Sequence, residues 1–185
     1  MIKFVKKLLK ILFLLIVVGI VIFVFPTQPS ESLVLKAKSK IESIENEKGK
    51  YHILIDYNRP IFKKRLWVIE METDEIIINS HVSHAKKSGL IYASEFSNVP
   101  NSKKSSIGLF KTQGTYESNY GKGEYKIGMR IKGLEPHNDK VLSRNIVFHP
   151  SYGLWSEGCF MTFPKTNKKI IELTKGGSMV FVNKD

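Results

Sequence analysis

The chain has 185 residues, which suits one domain plus an appendage, with 42% hydrophobic residues and a net charge of +12 at pH 7. A single cysteine, Cys159, excludes an internal disulfide, and no His-Glu-x-x-His or Cys-x-x-Cys pattern gives reason to expect a metal or another cofactor. The positive balance does not point to nucleic acid, because there is no zinc-finger spacing, no RRM-type aromatic motif and no concentrated basic helix.

Four lysines, Lys3, Lys6, Lys7 and Lys10, precede a run without charge from Ile11 to Phe25. A positive head before an apolar stretch is an export signal, and Leu8 to Phe25 approaches the ~20 residues that cross a bilayer. Val24-Phe25-Pro26 is too bulky for a cleavage site, so residues 1–29 are expected to be cytoplasmic lysines plus a transmembrane signal anchor. A cleaved signal peptide, which would leave a secreted protein, is the alternative. The rest of the chain holds 25 of the 29 basic residues and all 17 acids, a net +8 suited to lipid head groups or cell-wall polymers. In an oxidising compartment an unpaired thiol is a liability, which marks Cys159 as reactive.

Pro26 to Ser32 breaks the chain, and Leu33 to Lys48 reads as a charged helix with Leu33, Ala37, Ile41 and Ile44 on one face. Residues 30–50 are expected to form a helical stalk or a brace. From Tyr51 the hydrophobic period drops to two, and 51–57, 66–71 and 76–83 read as strands, with Thr73-Asp74 as a tight connection. His84 to Ser102 is a long loop, and loops of that length are usually functional or disordered. Further strands are expected at 105–112, 125–131, 146–149 and 179–182. A helix capped by Thr166 carries Ile170, Ile171 and Leu173 inward and stops at Gly176-Gly177. These elements predict a mainly β domain over 51–185 with one or two short helices.

The stretch Asn145 to Pro164 carries the chemistry. His149 ends the apolar run Ile146-Val147-Phe148, and ten residues later Cys159 follows a Ser156-Glu157-Gly158 turn. An imidazole that takes the thiol proton makes a thiolate nucleophile. Backbone N–H groups around Glu157, Gly158 and Cys159 would suit a developing oxyanion, and Gly158 permits the unusual backbone conformation. A buried, inert cysteine and a strand-end histidine form the alternative.

With Leu66-Trp67-Val68-Ile69, His84, Ser88-Gly89, Tyr92-Ala93, Phe96-Ser97-Asn98, Ser105-Ser106-Ile107-Gly108, Gly133-Leu134-Glu135, Arg144 and Ile146-Val147-Phe148-His149, the chain from about residue 51 to 182 resembles the murein L,D-transpeptidase catalytic-domain family. The match ends in the Ser-x-Gly-Cys turn of that family, here Ser156 to Cys159. The resemblance implies an L,D-transpeptidase-like β-sandwich or barrel in the cell envelope, acting on peptidoglycan stem peptides. It implies Cys159 as nucleophile and His149 as general base, with the acyl group passed from the thioester to an amine. His84, Tyr92, Thr112 and Arg144 would line the donor site. Pro150, Glu157 and Phe160 depart from residues common in the family, and a carboxylate at Glu157 would oppose thiolate formation. An L,D-carboxypeptidase or amidase, with water as acceptor, and a non-catalytic wall-binding module remain open. A monomer is the default.

Overall fold

In a computed structural model of the chain, residues 2–44 and 49–185 are described. Ten strands and three α-helices follow one another: α1 (Ile2–Val24), α2 (Glu31–Glu42), β1 (Tyr51–Asp56), β2 (Leu66–Glu70), β3 (Glu75–Ser80), β4 (His84–Ala85), β5 (Gly108–Glu117), β6 (Ile127–Gly133), β7 (Val147–Pro150), β8 (Trp155–Ser156), β9 (Phe160–Thr162), α3 (Pro164–Thr174) and β10 (Met179–Asn183). Eight strands form one sheet in the order β3-β2-β1-β10-β5-β6-β7-β9, while β4 and β8 pair separately and in parallel. Most neighbours are antiparallel, but β1 with β10 and β7 with β9 run parallel. The sheet curls toward closure, because the chain leaving β3 meets β9 where the Ser83 N–H donates to the Met161 carbonyl at 3.0 Å.

Period-two alternation sorts the strands onto two cores. Ile53 and Ile55, Leu66 and Val68, and Val180 and Val182 face an inner core with Phe110, Phe148, Phe160, Ile170 and Ile171 of the other strands and α3. Their alternates Leu54, Trp67, Ile69, Met179 and Phe181 face outward and would be wet without a cover. That cover is α2, whose Leu33, Ala37 and Ile41 bury against them. The helix therefore lies on the domain as a brace and does not stand off as a stalk. Ser30 starts it by accepting the Leu33 N–H at 3.2 Å, and Lys36, Lys38 and Lys40 pair with Asp185, Asp74 and Glu135. Exposed pairs contribute at most about 1 kcal/mol each, whereas a buried Leu or Ile contributes roughly 1.5–3, so the apolar stripe holds the brace. The helix ends at Glu42, short of the expected Lys48, and positions 45–48 lie outside the described residues.

Helix α1 presents apolar side chains such as Phe4, Leu12, Phe13 and Ile20 to its surroundings. Among the described residues no helix is long and apolar enough to cross a membrane. The expected transmembrane span is thus not confirmed, because Lys3, Lys6, Lys7 and Lys10 stand inside the helix and shorten its charge-free part. The segment after it is tied to the domain. The Thr27 N–H donates to Asn79 Oδ1 at 2.7 Å, and Trp67 Nε1–H to the Thr27 carbonyl at 2.7 Å.

Two further expectations shift in detail. The strand expected at 105–112 begins at Gly108 and runs on to Glu117. Helix α3 starts at Pro164 with Phe163 as its cap residue and not at Thr166, since proline is suited to the first helical position.

Candidate active site

The thiol turn is built between two short strands. β8 docks on β4 through Ala85 opposite Ser156, the chain turns at Glu157-Gly158, and Cys159 leads into β9. Ser156 Oγ accepts the Gly158 N–H at 3.1 Å. Gly158 has φ +129, and a Cβ there would lie 2.5 Å from Ile146 Cδ1 and 3.3 Å from the Lys104 carbonyl oxygen, so the turn needs a glycine. Ser83 fixes the far side: its hydroxyl donates to the Cys159 carbonyl at 3.1 Å and accepts the Met161 N–H at 2.9 Å.

Cys159 is half-buried, and its thiol donates to the Asn145 carbonyl at 3.7 Å. Burial pushes the thiol above its ordinary range; the Val147 N–H and the Arg144 charge pull it down, and Glu157 adds to the rise. Glu157 is largely solvent-exposed and pairs with Lys103 at 2.7 Å, which blunts its effect on the sulfur.

His149 sits in β7, the parallel neighbour of β9, opposite Met161. Its Nδ1 lies 3.1 Å from the Pro150 carbonyl. A carbonyl only accepts, so Nδ1 carries the hydrogen and Nε2 keeps its lone pair. Tyr120 stacks on the ring at 4.4 Å between centroids. Burial lowers the imidazole below its usual range, although the bond to Pro150 works against this. Both shifts favour a neutral thiol beside a neutral imidazole over a preformed ion pair.

Both side chains line one open cleft of about 690 Å³, together with Lys86, Tyr116, Tyr120, Arg144, Asn145 and Trp155 among others. Of the expected donor-site residues only Arg144 belongs to it. His84 is buried below, where Arg65 Nη2 donates to its Nδ1 at 2.7 Å and its Nε2–H donates to the Gly89 carbonyl at 2.8 Å. Burial and the Arg65 charge lower its pKa to about 4. Thr112 is also buried, donating to the Thr174 carbonyl at 2.6 Å and accepting the Gly177 N–H. Tyr92 is exposed and does not line the cleft. Sequence patterns assigned no role to Asn145, Tyr120, Trp155 or Ser83, although Asn145 and Trp155 fall within the stretch 145–164, because periodicity does not say which side chains a loop or a two-residue strand brings to the site. Arg65, wholly buried, was equally hidden. It donates to the Val82 and Arg59 carbonyls and lies 4.8 Å over the Tyr57 ring.

The family model for the L,D-transpeptidase catalytic domain matches residues 28–183, so the chain belongs to that family. The eight-stranded sheet, with β7 carrying His149 beside β9 that follows Cys159, lies within the matched residues, and the match begins ahead of α2, which fits the brace observed on the sheet. The fold is similar to that of the helical cell shape determining protein Pgp2 (K307A mutant) from Campylobacter jejuni, with TM-score 0.51 and 13% identity over 83% of this chain and 53% of that one. An L,D-transpeptidase from Stackebrandtia nassauensis aligns with TM-score 0.46 and 17% identity over 82% of this chain and 65% of that one. The chain thus spans roughly half to two thirds of the length of these solved chains. No curated protein matches it.

Proposed function

We propose that Cys159 is the nucleophile and His149 the general base of an acyl transfer on peptidoglycan stem peptides. The observation that carries this is the meeting of the two side chains in one cleft, with His149 Nδ1 occupied by the Pro150 carbonyl and Nε2 left to accept a proton. The bond attacked joins the L-centre of the diamino acid at stem position three to the D-alanine that follows. His149 Nε2 takes the thiol proton as sulfur bonds to the carbonyl carbon, and the carbonyl π pair moves onto oxygen. Collapse breaks the C–N bond, and the imidazolium returns its proton to the departing D-alanine amine. An acceptor amine then displaces sulfur from the thioester, giving a 3→3 cross-link or an attached protein. Water as acceptor would give a carboxypeptidase instead. Gly158 N–H already serves Ser156 Oγ, so the amides of Glu157 and Cys159 are the proposed oxyanion donors.

The test is incubation of the full chain with tetrapeptide muropeptides beside Cys159→Ser. Cross-linked dimers that vanish in the variant support the transferase, and trimmed monomers alone replace it with the hydrolase. Products unchanged in Cys159→Ser overturn the nucleophile.

For location we propose the cell envelope, with α1 inserted in the membrane and the domain outside the cytoplasm. Support comes from the exposed apolar side chains along α1 and from the lysines at its start, whose stems reach the interface by snorkelling. Release of the full chain from membranes by alkaline carbonate would refute the insertion.

A further inference from the structure

Arg144 stands just before β7, in the cleft with Cys159. Its Nη1 donates to the Ser97 carbonyl and to Ser106 Oγ (2.8 Å), and its Nη2 to Ser102 Oγ (3.1 Å) and the Lys104 carbonyl (2.7 Å). All four terminal N–H bonds are engaged, so the guanidinium has no free fork with which to clamp a substrate carboxylate. All four acceptors are neutral, and among the described residues no carboxylate pairs with it. A half-buried cation held by neutral oxygens keeps its field for whatever anion forms beside it. Two structural links lead to the sulfur. The next residue, Asn145, is in the left-handed region at φ +54, and its carbonyl accepts the hydrogen bond of the thiol S–H. The Lys104 carbonyl that Arg144 holds is the one lying 3.3 Å from the position a Cβ on Gly158 would take.

We propose that Arg144 is a positioning residue that presses the 97–106 loop onto the thiol turn and supplies the fixed positive charge needed when Cys159 loses its proton. This rests on Cys159 as the nucleophile and replaces the substrate-binding role expected for Arg144. The arrangement explains a conflict in the site. The Asn145 carbonyl favours the protonated thiol, as does burial, so ionisation during attack needs a nearby cation that is not itself spent on a carboxylate. The other titratable or charged groups around the sulfur are Glu157, His149, Tyr116, Tyr57 and Lys86. Of these, Glu157 works against the thiolate, the tyrosines are neutral, His149 is neutral until it accepts the proton, and Lys86 is exposed, so solvent and salt screen its charge more than that of half-buried Arg144.

The test uses the only cysteine as its own reporter. Iodoacetamide alkylation of the full chain is followed against pH for wild type, Arg144→Gln and Arg144→Lys, with thermal unfolding measured alongside. Glutamine keeps N–H donors and loses the charge; lysine keeps the charge and loses the fork. The expected result is a midpoint about one pH unit higher in Arg144→Gln, roughly ten-fold less thiolate at a fixed lower pH, with Arg144→Lys near wild type. An unmoved midpoint in Arg144→Gln, or equal shifts in both variants, overturns the proposal. Should Arg144→Gln fail to fold, the wild-type midpoint is compared at about 0.01 M and about 1 M salt, where the screening lengths are about 30 and 3 Å. A midpoint that does not rise with salt then overturns it. Alkylation reads the thiol whether or not Cys159 is catalytic, so failure here is distinct from failure of Cys159→Ser to abolish turnover.

Discussion

His84 stands in β4 and His149 in β7, and burial pushes both toward the neutral form. They differ in what their nitrogens are spent on. His84 is saturated, with Arg65 on Nδ1 and the Gly89 carbonyl on Nε2, and so it works as a strut that anchors β4, and through it β8, to the interior. His149 is held at Nδ1 alone, and among the described residues its Nε2 has no bonded partner while the ring lines an open cleft. A histidine does acid–base chemistry only where a nitrogen is left over. Resemblance groups both residues with the site, and their hydrogen-bond partners separate them.

The contrast is broken most sharply at His149. Replacement by alanine is expected to lower turnover by about 10²–10⁴-fold, the usual worth of a positioned general base, with the thermal midpoint close to wild type. His84→Ala should instead lower the thermal midpoint and reduce activity only as far as folding is lost. Arg65→Met tests the strut from its other end. It strips donors from the Val82 and Arg59 carbonyls and from His84, and a loss of about 3 kcal/mol or more in denaturant unfolding is expected. A loss under about 1 kcal/mol would mean that the site relaxes or admits water.

Gly158→Ala follows, with an expected cost of about 1–3 kcal/mol, since the left-handed backbone and Ile146 both oppose a Cβ. The alkylation rate of Cys159 should change with it if the turn shapes the thiol's surroundings. Acid sharpens the histidine comparison. His84 titrates near 4 in the folded chain against 6.5 when unfolded, so its stabilising contribution is complete above pH 6.5 and drains away as pH falls toward 4. Thermal midpoints from pH 7.5 to 4 should fall in wild type and flatten in His84→Gln. The acid limb of kcat/KM should lie at lower pH than an ordinary imidazole gives, because burial lowers His149, while thiol alkylation should still be rising past pH 9. The smallest effect is expected for Glu157→Gln, a downward shift of a few tenths in the alkylation midpoint, because Lys103 already shares that charge.

Much of the fold was legible in residues that alternate. Ile53-Leu54-Ile55 and Val180-Phe181-Val182 announced strands, and Leu33, Ala37 and Ile41 an amphipathic helix; that the strands are buried on both faces, with the helix as cover, came from the structure. Register and direction were not legible. Nothing in Met179 to Val182 says that it will insert beside Tyr51 to Asp56 in parallel, since pairing between segments so far apart is decided by the whole sheet. The site divided in the same way. His149 and Cys159 stood out because imidazole and thiol are scarce and close in sequence, and the Ser156-Gly158 turn showed in its residue types. His84, Thr112 and Tyr92 were grouped with them by resemblance, yet burial spends the first two on the interior and the third is exposed outside the cleft lining. Tyr120 and Asn145 escaped notice because a common residue gains its place there only through the path of a loop.

The Ser83 clasp has a consequence for how the molecule responds to load. One residue joins the chain leaving the sheet's first edge to the strand behind the nucleophile, through its amide and its hydroxyl together. Whatever grips the sulfur side also tugs this seam, so the Ser83 and Met161 amides form a natural gauge. Slower deuterium uptake there on acylation would record, at the backbone directly behind the sulfur, that the cleft has been filled.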